Sequence, residues 1–289
     1  MTAKSYPPFA YFGGKTRLAP TIAGLLPEHR HYVEPFAGSL AVLLAKKRSA
    51  HETVNDIDGD LVTFWRVLRN RPEDLARVCR LTPHSRDELA QAAYPACDEL
   101  EQARRVWVRL TQGRAQTTRS AAWRATKNGA DRQSIPDRLA SYASRIETAA
   151  DRLRGVSIEN RDALDVFADY GQHPDVLIYA DPPYLASALS KASRGVKRYA
   201  VGMPSEDEHR SLAEIASNCR AHVVISGYDS PLYDELFEGW HTFRMRASAG
   251  NAKTAHKRVE TVWSNRPLAA ARERAADAAG LANTEGTTE

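Results

Sequence analysis

Seven short runs of apolar and β-branched residues, at 32–34, 53–55, 157–159, 176–180, 223–226, 242–245 and 261–263, have the length and composition of strands. Segments with helical apolar spacing, 17–26, 39–47 and 61–69, precede the first run and separate the early ones. A further helix opens at Ser205-Glu206-Asp207-Glu208, a capping box in which the serine and Glu208 satisfy each other's backbone donors, and is predicted to run to about Cys219. The run Val176-Leu177-Ile178-Tyr179-Ala180 is apolar at every position, as a strand covered on both faces must be. Strands alternating with helices in this way predict the α/β class: a mostly parallel sheet with helices on both faces.

Between about 65 and 154 no strand pattern occurs, so the alternation is interrupted by a long helical insertion. The expected organisation is a body made of 1–64 and 155–266, an inserted helical lobe over 65–154, and a disordered tail over 267–289, where alanine and charge give way to glycine and threonine. The last helix of the lobe, from Asp137, places Leu139, Tyr142, Ala143, Ile146, Ala150 and Leu153 on one face and stops at Gly155, which marks it as a packing helix.

Charge sharpens this picture. The net charge is only +4, but 104–154 holds twelve Lys or Arg against four acidic residues, an excess of +8 that leaves −4 for the rest. A basic lobe on a mildly acidic body points to a polyanion held through phosphate contacts; a solvated helical face is the plainer alternative. Before residue 132, Trp107, Gly113, Trp123 and Gly129 interrupt a run of Arg, Thr, Gln and Asn suited to loops that touch phosphates and base edges. Arg109, Arg114, Arg119, Arg124 and Lys127 are the candidate contacts. Three cysteines, Cys79, Cys97 and Cys219, without C-x-x-C spacing, indicate neither a disulfide framework nor a zinc cluster and suit a reducing cytoplasm. The longest apolar run, near 40–45, is too short to cross a bilayer, so no membrane role is expected.

The candidate chemistry follows the most apolar strand: Asp181-Pro182-Pro183-Tyr184, at the edge where open α/β sheets bind ligands. The exocyclic amine of a nucleobase is a poor nucleophile because its lone pair is delocalised into the ring. Acceptors placed against both N–H bonds would redirect that pair. An ionised Asp181 offers acceptors only, and the Pro182 carbonyl can take the second N–H while Pro182 and Pro183 stiffen the backbone and add no competing donor. Tyr184 can stack on a base extruded from its duplex, offsetting part of the unstacking cost. A strand-terminating turn would explain the prolines but not the acid and the ring together.

Two further segments belong to the same edge. Val33-Glu34-Pro35-Phe36-Ala37-Gly38-Ser39 closes a strand and opens a helix, with Gly38 permitting close backbone approach of a small ligand. Asp56, about 20 residues beyond that turn, stands where a ribose-binding acid is expected. Upstream, Gly13-Gly14-Lys15-Thr16 invites comparison with a phosphate-binding loop, but Phe9 occupies the position of the required earlier glycine and no strand leads in. Lys15 is free to hold a carboxylate instead.

Tyr11 with Gly13-Gly14-Lys15, then Glu34-Pro35-Phe36-Ala37-Gly38, Asp56, a long insertion and Asp181-Pro182-Pro183-Tyr184 resemble, in content and order, the Dam-type, alpha-group DNA adenine methyltransferases. Tyr199, the 205–213 segment with His209, the 223–228 strand and the stretch from Arg244 to Trp263 resemble later motifs of that family. The resemblance implies a Rossmann-like S-adenosylmethionine-binding sheet, a target-recognition lobe, no metal, and double-stranded DNA as partner, with a cognate restriction nuclease as an optional companion. It implies a cytoplasmic, prokaryotic or phage-encoded enzyme that flips adenine out and methylates N6. Asp181, Pro182, Pro183 and Tyr184 would be the catalytic loop, and Tyr11, Lys15, Glu34, Phe36, Gly38, Asp56, Asp162 and Asp181 the donor pocket. This chain has Leu40 where the family usually has a second glycine. The N4 amine of cytosine, a DNA-binding relative without turnover, and a protein or metabolite amide are the alternatives.

Overall fold

The computed structural model describes residues 5–119, 122–125, 133–185, 202–247 and 258–269. Its seven strands are β1 (His31–Glu34), β2 (His51–Asn55), β3 (Ser157–Glu159), β4 (Val176–Ala180), β5 (His222–Tyr228), β6 (His241–Ala247) and β7 (Arg258–Ser264), each containing one of the predicted runs. They form one sheet in the order β3-β2-β1-β4-β5-β7-β6. The first five strands in that order are parallel, and β7 runs antiparallel between β5 and β6. Val33 is in register with Thr53 on one side and Ile178 on the other, so β1 and β4 are the central pair. Strand order reverses between them, leaving a crevice at their carboxyl ends where crossovers leave in opposite directions. Glu34 ends β1 and Asp181 follows β4, so both open into that crevice.

The helices of the body are α1 (Ala19–Leu25), α2 (Ala41–Ala45) and α3 (Gly59–Asn70) before the insertion. The insertion supplies α4 (Pro72–Leu81), α5 (Arg86–Gln91), α6 (Glu99–Gln112), α7 (Ile135–Ala143) and α8 (Ile146–Leu153). After it come α9 (Ala163–Tyr170), α10 (Glu206–Ser217), which starts with the expected capping box, and α11 (Pro231–Leu236).

Alternation along the strands separates two cores. Tyr32, Leu177, Tyr179, Val224 and Val262 face one side, where Trp65, Trp107, Leu139 and Ile146 continue the same packed cluster. Val33, Ile178, Val223, Ile225 and Trp263 face the other, against Phe167 of α9 and Leu212 of α10. The insertion therefore packs straight onto the sheet, and α3 crosses the expected boundary at residue 65 while contacting α6 and α8. The single helix expected from Asp137 to Gly155 is two. α7 ends at Ala143 and α8 starts at Ile146, because Ser144 and Arg145 close a turn on the carbonyls of Ala140 and Tyr142. Arg145 uses that break to reach the Pro7 carbonyl at 3.2 Å, tying the N-terminal segment to the insertion. Of the expected tail, residues 270–289 lie outside those described. Among the described residues no helix is long and apolar enough to cross a membrane.

Candidate active site

The floor of the crevice is built by loops that the sheet brings together. Asn55, at the end of β2, donates from its amide to the Pro35 carbonyl (2.9 Å) and the Arg161 carbonyl (3.0 Å), and accepts from the Arg161 amide at 3.0 Å. One buried side chain thus joins the loops after β1, β2 and β3, and the Ala37 amide adds a bond to the Asn55 carbonyl. Asp56 then accepts from the Gly38 amide (2.9 Å) and the Asp58 amide (3.0 Å). Burial lifts its pKa to about 6 against the pull of these backbone donors.

Gly38 has φ +47°, and a Cβ there would lie 3.3 Å from the Tyr11 ring. The glycine lets the Tyr11–Lys15 segment press against the loop after β1. Leu40, at the position where glycine was expected, adopts the same left-handed region at φ +52° and ψ +28° with its side chain wholly buried. The backbone shape survives there without glycine, and the strain of a left-handed leucine, about 1–2 kcal/mol, is offset by burying that side chain.

The wall of the crevice is a buried charge cluster. The Lys15 ammonium lies 2.6 Å from Asp181 Oδ1 and 3.2 Å from Glu260 Oε1, and donates to the Tyr184 hydroxyl at 2.7 Å and the Gly13 carbonyl at 3.3 Å. Burial pulls the lysine pKa down, but Asp181, Tyr184 and Glu260 raise it on balance, so Lys15 is charged. Burial pushes the Asp181 carboxyl up, opposed by Lys15 and by the Ser226 hydroxyl, which donates to Oδ1 at 3.1 Å. Both bonds fall on Oδ1; among the described residues no bond reaches Oδ2. The Tyr184 ring stacks on Tyr228 with centroids 4.3 Å apart and an 18° interplanar angle. Glu34 accepts from the Tyr32 hydroxyl at 2.8 Å, and burial raises its pKa to about 8.

Of these groups Lys15, Glu34, Asp181 and Tyr184 border one cavity of about 240 Å³. The predicted Tyr11, Lys15, Glu34, Phe36, Gly38 and Asp56 line it together, as do Asp162, Asp181, Pro182, Pro183 and Tyr184. Asp162 also caps α9, accepting from the Leu164 amide at 2.8 Å. His209 is spent structurally, buried between the Tyr233 hydroxyl (2.9 Å) and the Met203 carbonyl (3.0 Å).

The predicted DNA contacts divide. Arg109 is a correction: it is 7% exposed, holds Asp60 Oδ2 at 2.7 Å and donates to the Ala92 carbonyl at 2.7 Å, so its charge is consumed in joining α6 to α3 and α5. Arg114 and Arg119 are exposed and Arg124 is half-buried, on a loop closed by an antiparallel bridge between Gly113 and Trp123. That loop borders the crevice, since the Phe12 amide donates to the Gln116 carbonyl at 2.9 Å and Thr118 donates to Asp58 at 2.6 Å. Lys127 and Tyr199 lie outside the described residues. Glu260, Ser226, Tyr228 and Asn55 escaped the sequence reading. Glu260 carried a signal: it shares a face of β7 with Val262, where an acid is out of place unless a cation meets it.

Acceptors at three strand ends, the aromatic faces of Tyr11 and Phe36, and glycine turns that leave room beside them fit a ligand with a nucleoside and an amino-acid moiety. Together with the 3-2-1-4-5 sheet and the Asp-Pro-Pro-Tyr loop at the switch point, they define a Rossmann-like S-adenosylmethionine-dependent methyltransferase. Residues 11–249 match the family described as D12 class N6 adenine-specific DNA methyltransferases, and the chain belongs to that family. It is an adenine-specific DNA methyltransferase, and S-adenosylmethionine is its methyl donor. The Type II methyltransferase M1.LlaDCHI of Lactococcus lactis subsp. cremoris is 25% identical over 266 residues, spanning 85% of this chain and 89% of that protein. Remote structural likenesses include the precorrin 8W decarboxylase of Methanobacterium thermoautotrophicum (7% identity, TM-score 0.38, 91% and 99% of the two chains). Another is a SAM-dependent methyltransferase from Agrobacterium tumefaciens (9%, TM-score 0.38, 87% and 61%).

Proposed function

We propose that the enzyme acts on adenine flipped out of duplex DNA, with Asp181 and the Pro182 carbonyl accepting the two N6 N–H bonds. The observation that carries this reading is the asymmetric use of Asp181: Lys15 and Ser226 fix Oδ1, which leaves Oδ2 as the acceptor for an incoming amine. Accepting both protons confines the amine and turns its lone pair towards the donor. S-adenosylmethionine, when bound, supplies an electrophilic sulfonium methyl. Tyr11, Phe36, Gly38, Asp56 and Asp162 would hold its nucleoside end and Lys15 with Glu34 would border its amino-acid end. Orientation in a preorganised charge cluster supplies the rate, without a covalent enzyme intermediate.

Tyr184 receives the base on its ring. Its face against Tyr228 is already covered, so the base takes the other face, and the Lys15 bond to the hydroxyl fixes the ring beforehand. Arg114, Arg119, Arg124 and Lys127 would contact DNA phosphates and bases from the lobe of 65–154, and the basic balance of that segment supports this. A cognate restriction nuclease would be an optional companion, not required for transfer.

The test is to give the purified enzyme labelled donor and duplex DNA, then identify the modified nucleoside by mass. N6-methyladenine is expected from the wild type, and Asp181→Ala should lose transfer by at least roughly 10³-fold while retaining duplex binding. Near-full transfer by that variant would refute the assigned role. Methylation of single-stranded DNA alone would refute the duplex reading.

A further inference from the structure

Outside the crevice, one exposed cation is held more firmly than a surface residue needs. Arg86, the first residue of α5, lies with its guanidinium carbon 4.3 Å from the centroid of the Trp123 ring. Trp123 is itself stacked on His84, centroids 4.5 Å apart and 17° between planes. His84 Nε2 meets the Arg124 carbonyl at 3.0 Å, and the buried Gln112 accepts from the Ser85 amide at 3.1 Å and donates to the Pro83 carbonyl at 2.9 Å. The platform beneath Arg86 is therefore fixed by side-chain bonds from both of its neighbouring segments.

Its charge is otherwise unspent. Arg86 has no hydrogen bond or ion pair among the described residues; the nearby Glu88 is taken by Arg104 at 2.7 Å. We propose that Arg86 reads a guanine of the recognition sequence, its fork donating to O6 and N7 in the major groove. A phosphate contact needs only a positive charge, which a mobile lysine supplies. A guanidinium held over a clamped indole, 4.3 Å from the ring centroid, has given up much of that freedom, and a bidentate contact to a base edge is what uses a positioned fork.

The position supports the assignment. Trp123 bridges Gly113, and Gln116, whose carbonyl meets Phe12 at the edge of the crevice, stands three positions beyond Gly113. Three residues span at most roughly 11 Å. With bases about 3.4 Å apart along a strand, Arg86 is within reach of a base pair a few steps from the target adenine. This inference rests on the duplex reading above.

The experiment begins by mapping every N6-methyladenine that the wild type places on a random duplex library, which gives the recognition sequence, and repeating it with Arg86→Lys and Arg86→Ala. Arg86 is exposed, and circular dichroism checks that both variants fold. The expected result is a loss of roughly 10- to 100-fold in kcat/KM at the cognate sequence for both variants, with one guanine position no longer required. Replacing that guanine by 7-deazaguanine should impair the wild type and leave Arg86→Ala no worse. The proposal is overturned if Arg86→Lys keeps wild-type rate and sequence preference while Arg86→Ala weakens all duplexes alike and lowers the salt slope by about one, the mark of a phosphate contact. It is also overturned if neither variant changes anything, or if the wild-type sequence contains no guanine. Adenine methylation confined to single strands would remove the duplex reading and this inference with it.

Discussion

Glu260 offers the sharpest quantitative check on the charge cluster. Its carboxyl is 2% exposed, and its nearer oxygen lies 3.2 Å from the Lys15 ammonium without forming a directed hydrogen bond. Lys15 is shared with Asp181, which stands closer at 2.6 Å, so a single ammonium faces two carboxyl groups. Burial, reinforced by Asp181 and opposed by Lys15, moves Glu260 from 4.5 to about 7. Each pH unit of displacement corresponds to about 1.4 kcal/mol, so ionising Glu260 in the folded protein costs about 3 kcal/mol relative to the unfolded chain. Between pH 4.5 and about 7 the native state binds the proton and the unfolded state has released it. Stability contributed by the protonated acid is therefore complete below 4.5 and is lost as pH rises through that window.

Glu260→Gln keeps the shape and fixes the neutral form. The variant should match the wild type in stability at pH 4, gain on it steadily through the window, and exceed it by about 3 kcal/mol above pH 8. Urea denaturation at closely spaced pH values, followed by tryptophan fluorescence, reads the difference directly. A variant less stable than the wild type at pH 8 would refute the reasoning. It would mean that the attraction of the ionised Glu260 to Lys15 outweighs the cost of burying its charge.

Three further outcomes follow from the same contacts. Gly38→Ala places a Cβ in a left-handed backbone 3.3 Å from the Tyr11 ring, so titration calorimetry should find donor affinity reduced by roughly tenfold at a strain cost of about 1–2 kcal/mol. Asn55→Ala strips the donors from the carbonyls of Pro35 and Arg161, and should cost about 2–4 kcal/mol in urea denaturation and weaken donor binding, since the loops after β1 and β3 lose their common clamp. Arg109→Met should lower stability by about 1–3 kcal/mol by releasing Asp60 and the Ala92 carbonyl, while leaving the salt dependence of DNA binding unchanged; a reduced salt slope would return Arg109 to the DNA-facing surface.

The sheet was legible because its strands are short apolar or β-branched runs and strand-end chemistry is local: Glu34 ends such a run, and Asp56 and Asp181 each follow one. Arg109 was misread because a basic residue in a basic segment looks solvent-facing. Its burial depends on where α3 and α5 meet α6, a packing fact with no local signature. The break at Ser144 was hidden for the opposite reason. The apolar spacing continues through it, and only the distant pull of the N-terminal segment on Arg145 accompanies the turn. Leu40 shows a family's residue preference and a backbone shape parting company, since the left-handed turn is kept by packing where glycine would keep it by freedom.

Buried charges seldom stabilise a fold, because desolvating each ion costs several kcal/mol and an apolar substitute of the same volume often does as well. The cluster around Lys15 therefore calls for a reason beyond stability, and its geometry supplies one. The ammonium contacts the loop after β4 through Asp181 and Tyr184, strand β7 through Glu260, and its own segment through the Gly13 carbonyl. That segment is in turn held by the insertion, where Trp107 donates to the Pro8 carbonyl at 2.9 Å and Arg145 to that of Pro7. Removing the lysine would leave the half-buried Asp181 without a cation and push its carboxyl further towards the protonated form, a donor where the amine needs an acceptor. The ion cluster is thus the device that keeps Asp181 an acceptor inside a cavity whose burial works against it, and it fixes which of the two oxygens is left to meet the base.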